Sequence, residues 1–323
     1  MVIVATSCGG AASTPASAPV SKQPGKFKVG ASAINSSLLP IQLGADLGLY
    51  DKYGASVEFG ATGVGNTTIA AMQSGEIAAA YINPSNVAEA AAAGSDIRSV
   101  MSIGVRSSYL LVTTPDINKV EDLKGKAFAI ANPGGLASTV AEVFLGQYGL
   151  KNGTNITLLN LGAEPDRIQA LQSGQVQGTI INPGFRDKIG NLKVILDLRD
   201  LDLGFPGGGL AMSQKFMKSQ PAAADALVTG TWDGIKLVVD RAQKDKVVEG
   251  LKKYLQLDGP QAERAYEELQ KDFQGALPPK LEPKGVGKMI DFLATSNPAV
   301  AKVTPENVID SSIVDRLLAQ GYK

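Results

Sequence analysis

The 323-residue chain has no histidine, one cysteine and one tryptophan, and its 31 basic residues are matched by 31 acidic ones. Without histidine the commonest general base and the commonest metal ligand are missing. That excludes a Ser-His-Asp triad, a Cys-His pair and most zinc sites. With Cys8 alone, no disulfide framework, CxxC redox pair or cysteine-held cluster forms within one chain. A zero net charge projects no long-range field, so neither nucleic acid nor an anionic membrane surface is expected as a partner. No cofactor is expected, and catalysis by Asp, Glu, Lys or Tyr is the chemistry that survives this filter.

Long apolar runs are missing too. Met1 to Ala5 is far shorter than a bilayer span. It resembles the tail end of a bacterial signal peptide, and Ala5-Thr6-Ser7-Cys8 resembles a lipobox, although its first position is Ala where Leu is usual. Residues 9–25 are rich in Ala, Ser, Pro and Gly and read as a flexible tether. The expectation is a lipid anchor at Cys8, against the plainer reading of an incidental cysteine in a tail.

After residue 26 the pattern alternates strand and helix. Strands are expected at 26–32, 56–59 and 78–82, with helices at 39–53, 66–74 and 84–93 between and after them. Apolar stretches at 97–103 and 109–113 read as a strand and the start of a crossover. The pattern then restarts: strand 127–131, helix 136–148, strand 156–160, helix 166–173, strand 178–181, and a helix from Pro183. This alternation argues α/β units on parallel sheets. Gly204 and Gly207 to Gly209 form a flexible passage before a strand at 210–213. From Pro221 the chain is mostly amphipathic helix, with Trp232, Leu237 and Val238 as apolar anchors. Three parts are expected: a tether (1–25), one domain from 26–112 plus 208–323, and a second from 113–207. Two crossing segments then make a hinge.

One phrase is written twice. "IAAMQSGEIAAAYINPS" (Ile69 to Ser85) and "IQALQSGQVQGTIINPG" (Ile168 to Gly184) share eight of seventeen positions without a gap. In each, Ser-Gly closes a helix, an apolar strand follows, and Asn-Pro reads as the N-cap and first residue of the next helix. Such punctuation recurs in α/β proteins, but eight identities at one topological point argue a structural duplication.

The order of "GLYDKYG", a glycine-rich loop, "MQSGEIAAAYI", "INKVEDLKGKAFAI" and the second "LQSGQVQGTII" resembles the substrate-binding proteins of bacterial ABC importers, of the nitrate/sulfonate/taurine type. The resemblance runs from Phe27 to about Met217. It implies a type II periplasmic binding protein: two doubly wound parallel-sheet α/β domains joined by a two-segment hinge, here with a helical C-terminal region. It further implies a protein that is not an enzyme. Such a protein captures a small organic molecule in the interdomain cleft and hands it to a membrane permease. A periplasmic or cell-surface monomer, touching the membrane only through its lipid anchor, is the matching expectation.

Ligands of open parallel sheets bind beyond the carboxyl ends of the strands. The residues expected there are Ser32, Asn35, Ser36, Gly63, Asn66, Thr67, Asn83 and Ser85 in the first domain. In the second they are Asn132, Gly134, Gly135, Ser138, Asn182, Phe185 and Arg186, with Phe205 at the return crossover. Small hydroxyl and amide side chains at helix starts suit a carboxylate, sulfonate or amide end. "GATGVGNT" (Gly60 to Thr67) nearly spells a phosphate loop, but Asn66 stands where the lysine belongs, so a nucleotide is not expected. Arg186 either pairs with an acidic ligand or is a solvated surface residue. Arg106 and Tyr109 either reach the cleft or brace the hinge. Glu164 and Asp166 read only as helix N-terminal residues, and Pro206 as a wall beside Phe205.

Two other classes stay in view. One is a sensory domain partnering a membrane signalling protein. The other is an enzyme on the same fold. Thiamin-precursor synthases that resemble this family consume a histidine, and porphobilinogen deaminase carries its cofactor on a cysteine, so both fit this chain poorly.

Overall fold

The computed structural model describes residues 25–31, 35–63, 65–104, 108–131, 136–201, 203 and 206–323. The first half of the α/β pattern folds as β1 (Gly25–Ala31), α1 (Leu39–Asp46), β2 (Ala55–Ala61), α2 (Gly65–Ser74), β3 (Ala79–Ile82), α3 (Pro84–Ala92) and β4 (Ile97–Ser102). The second half gives β5 (Leu110–Thr113), β6 (Ala127–Ile130), α4 (Leu136–Gln147), β7 (Thr157–Asn160), α5 (Glu164–Gln172), β8 (Gly178–Ile181) and β9 (Lys193–Asp197). The chain returns through β10 (Gly209–Ser213) into six helices: α6 (Gln214–Ser219), α7 (Pro221–Val239), α8 (Lys244–Leu255), α9 (Gly259–Asp272), α10 (Pro283–Ser296) and α11 (Ser312–Ala319).

Two five-stranded sheets result, ordered β2-β1-β3-β10-β4 and β7-β6-β8-β5-β9. The orders are the same once β1 is matched to β6, β2 to β7, β3 to β8 and β4 to β9. In each sheet one strand runs against the rest: β10 lies antiparallel to β3 and β4, and β5 antiparallel to β8 and β9. Those two are the strands by which the chain enters and leaves the second half. The strand at 110–113 therefore belongs wholly to the second sheet, so the crossing falls between β4 and β5 rather than at residue 113. The sequence could not decide this, because four apolar residues fit the interior of either sheet.

The doubled phrase occupies matching places. Gly75 (φ +80°) and Gly174 (φ +78°) end α2 and α5 in the left-handed region that favours glycine. Asn83 and Asn182 then sit extended as N-caps, each followed by proline in the first turn. Two boundaries differ from expectation. The helix from Leu39 stops at Asp46 instead of running to Tyr53, because Gly48 turns to φ +64° and closes it. The segment from Pro183 is a 3-10 turn, Pro183–Lys188, not an α-helix.

The first sheet's core is completed by the C-terminal helices. Trp232 and Val238 of α7 are fully buried with Leu39 and Ile41 of α1, and Leu237 packs at the margin. The crossing of α7 on α1 needs glycine at two positions one turn apart. A Cβ on Gly234 would stand 2.1 Å from the Pro40 carbonyl oxygen, and one on Gly230 would stand 2.2 Å from the Tyr50 ring.

Candidate functional site

The carboxyl ends of β3 and β8 and the antiparallel strands beside them form two matching corners. Gly209 pairs with Ile82 and Leu110 with Ile181. One step further along each register sets Gly208 opposite Asn83 and Tyr109 opposite Asn182. The backbone repeats the match: Ile103 N–H donates to the Gly208 carbonyl at 2.9 Å, and Leu198 N–H to the Tyr109 carbonyl at 2.8 Å.

Each corner carries one tyrosine. Tyr81, in β3, lies over Gly208 so closely that a Cβ there would be 2.1 Å from the phenol oxygen. Burial pushes the Tyr81 phenol up to about 12, against the pull of its hydrogen bond with the Ser37 side chain and with a further push from Asp272. Burial also raises Tyr109, and the charges of Glu164, Tyr81 and Arg167 bear on it.

The second corner holds a buried charge system. Glu164 Oε1 accepts the Asn182 backbone N–H at 2.5 Å. Arg167, one helical turn on and 2% exposed, lies 3.7 Å from the same carboxylate. Its guanidinium donates to Thr179 Oγ1 at 3.2 Å, to the Ile180 carbonyl at 3.1 Å and to the Gly162 carbonyl. Burial raises the Glu164 carboxyl despite the Asn182 N–H and the nearby Arg167. Burial likewise lowers Arg167, with Glu164 opposing. A buried arginine whose three guanidinium nitrogens each find an acceptor fixes the α5–β8 corner in one geometry.

Helix α9 braces the two halves. Arg264, Glu268 and Asp272 recur every four residues and share one face. Arg264 meets Asp187 at 2.6 Å. Arg199, in the 3-10 turn after β9, meets Glu268 at 2.5 Å, Asp272 at 2.8 Å and its neighbour Asp197 at 2.5 Å. Ser108, on the crossover, donates to Asp272 at 2.5 Å. A groove of about 370 Å³ opens between α9 and the Pro183–Lys188 turn.

The expected residues divide accordingly. Asn35 caps the 3-10 turn Ser36–Leu38 by accepting from Ser37 N–H, and Ser36 is buried beside it. Asn83 and Asn182 are half-buried at the two corners. Ser85 is fully buried, and its hydroxyl has no partner among the described residues. Gly63 (φ +86°) is exposed before α2, and Asn66 and Thr67 are exposed in its first turn, where the Thr62 and Thr68 hydroxyls hydrogen-bond at 2.8 Å. Ser138 is buried in α4. Phe185 packs on the second sheet's core, and Arg186 is exposed on the groove facing α9. Cys8, Ser32, Arg106, Asn132, Gly134, Gly135 and Phe205 lie outside the described residues, whereas Pro206 is half-buried within them.

Sequence reasoning passed over Tyr81 and Asp272, and gave Glu164 only a helix-start role. Tyr81 did leave a signal: it is the one aromatic in the doubled phrase, where the other copy has Ile180. Glu164 left none, because its partner, the Asn182 N–H, is distant in the chain. Among the described residues no group of Cys, Asp or Glu could hold a metal ion, and no helix is long and apolar enough to cross a membrane.

Two sheets of one strand order, joined by two crossing strands and meeting at polar strand ends, define a two-lobed α/β binding-protein fold. The chain belongs to the NMT1/THI5-like family, whose model matches residues 35–244. It is similar to the periplasmic aliphatic sulphonate-binding protein of Escherichia coli, with TM-score 0.71 at 20% identity over 90% of this chain and 99% of that one. It is also similar to the periplasmic nitrate-binding protein of Synechocystis PCC 6803, with TM-score 0.70 at 14% identity, 92% and 89% covered. A third likeness is the alkanesulfonate-binding protein of Xanthomonas axonopodis pv. citri, with TM-score 0.66 at 18% identity, 92% and 98% covered. These likenesses bear out the expected fold class of two α/β sheet domains. No curated protein sequence matches the chain.

Proposed function

We propose that this protein is an extracytoplasmic solute-binding protein that captures a small organic molecule between its two sheet corners and delivers it to the permease of an ABC importer. The observation that carries the reading is the pair of matched corners, Tyr81–Asn83–Gly208 and Tyr109–Asn182–Glu164, at equivalent strand ends of the two sheets. Family membership and the sulphonate- and nitrate-binding roles of the solved neighbours support it. A role without bond-making chemistry suits a chain that has no histidine and whose one cysteine is Cys8. In the same reading Cys8 is the acylated residue, the tether holds the binding fold at the outer face of a membrane, and the protein works as a monomer.

Thermal unfolding against a panel of small organic acids, sulfonates and amides tests this. A ligand present at a hundred times its dissociation constant adds about 2.7 kcal/mol, a rise in melting temperature of several degrees. A panel in which nothing shifts the transition, together with no small molecule released from the purified protein on denaturation, overturns the reading.

A further inference from the structure

The two Asn-Pro corners are alike in backbone and opposite in chemistry. At the second corner every backbone donor is already used. Asn182 N–H goes to Glu164 Oε1, Pro183 has none, Gly184 N–H goes to Asn182 Oδ1 at 3.0 Å, and Phe185 N–H goes to the Asn182 carbonyl at 2.9 Å. An anion arriving there finds no backbone N–H and meets a carboxylate that has taken its place. The Glu164 side chain keeps 20% of its surface open. An ionised carboxylate accepts up to about four hydrogen bonds, and among the described residues none reaches its Oε2. Arg167 lies 3.7 Å from this carboxylate as its counter-charge, but its hydrogen bonds go to Thr179, Ile180 and Gly162, so no Arg167 donor is offered to a ligand.

At the first corner the opposite holds. Asn83 makes no side-chain cap bond, and among the described residues no hydrogen bond reaches its amide. The Ser85 hydroxyl two residues on is buried without a partner. This corner offers uncommitted donors and acceptors, while its counterpart offers only an acceptor.

Resting on the solute-binding reading, we infer that Glu164 sets specificity. The ligand presents an N–H donor edge (an amide, amine, amidine or amino-heterocycle) to Glu164 on the second wall, and an acceptor to Asn83 on the first. Compounds whose only polar end is a carboxylate or sulfonate are rejected at the second wall. A donor edge gains an acceptor there, whereas an anion finds no free donor.

The test uses isosteric probe pairs on the full chain: benzamide and benzamidine against benzoate, and methanesulfonamide against methanesulfonate, by calorimetry. Small molecules released on denaturation are identified by mass spectrometry in both ionisation modes. The donor-bearing members bind and the anionic ones do not. The variant Glu164→Gln keeps an oxygen for the Asn182 N–H and weakens donor binding by about 10- to 100-fold. Its melting temperature is measured alongside, and the released-molecule analysis of the unaltered protein needs no variant to fold. Binding of the anionic members with equal or greater affinity, or a released molecule that carries no N–H donor, overturns this inference and leaves the solute-binding reading standing. Absence of binding by every probe, with no molecule released, overturns both.

Discussion

Asn182 caps its own turn and Asn83 does not, although the two end equivalent strands and both precede proline. The Asn182 side chain holds Gly184 N–H at 3.0 Å, whereas the Asn83 side chain makes no cap bond to α3. One asparagine stabilises the fold and its twin stands uncommitted at the strand end.

That difference separates stability from binding. Asn182→Ala costs about 1 kcal/mol, the usual loss for an N-cap. Asn83→Ala changes stability by less than about 0.5 kcal/mol. Paired chemical denaturation curves check this, and equal losses in the two variants would contradict it.

Arg167 is held by geometry that a neutral side chain cannot reproduce. Arg167→Met leaves the Glu164 carboxylate buried beside Asn182 without its counter-charge, and strands the Gly162 and Ile180 carbonyls. Breaking such a system on one side costs about 3–5 kcal/mol, read from the denaturation midpoint. The double change Glu164→Gln with Arg167→Met recovers part of the loss, because the uncompensated charge is gone.

The close crossing of α7 on α1 gives a purely steric prediction. Gly234→Ala places a methyl 2.1 Å from the Pro40 carbonyl, so the helices must separate. A loss of about 1–3 kcal/mol follows, seen as a lower melting temperature. Gly259→Ala, with open space around it, serves as the control and leaves the transition nearly unmoved.

Much of this architecture was legible in the sequence and much of the site was not. Gly75, Gly174 and the two Asn-Pro pairs announced their turns because they act on the local backbone, where residue type decides conformation. The stop at Asp46 was missed because the apolar spacing continues through Tyr50 while Gly48 turns the chain. The assignment of 110–113 to the second sheet, the Ser108–Asp272 bond and the reach of Glu164 to Asn182 are all tertiary. No spacing rule connects residues that meet only after both sheets have formed. Tyr81 lies between these cases, for a polar aromatic in place of Ile180 marks where the two copies diverge.

The brace on α9 predicts a pH dependence. Burial alone would raise Asp197 and Glu268, but the Arg199 guanidinium overrides it and holds both below the ordinary carboxylate range. Groups with lowered folded values contribute stability above their unfolded values and lose it as pH falls through the folded ones. Asp272 works the other way. Burial raises it over the pull of Ser108 and Arg199, so its contribution is full below the ordinary aspartate value and fades as pH rises through its raised one. Melting temperature followed from neutral pH downward therefore falls more steeply for the unaltered protein than for Arg199→Ala in the acid limb. Parallel curves would contradict the brace.

In the proposed function a ligand is held at the two strand-end corners. Calorimetric titration of the compound that most stabilises the protein, into the unaltered chain and into Asn83→Ala, tests it most directly. The expected result is one equivalent bound by the unaltered protein and affinity at least about tenfold weaker in the variant, about 1.4 kcal/mol, with an unchanged melting temperature. Equal affinity in both proteins would place the ligand away from Asn83 and overturn the two-corner site.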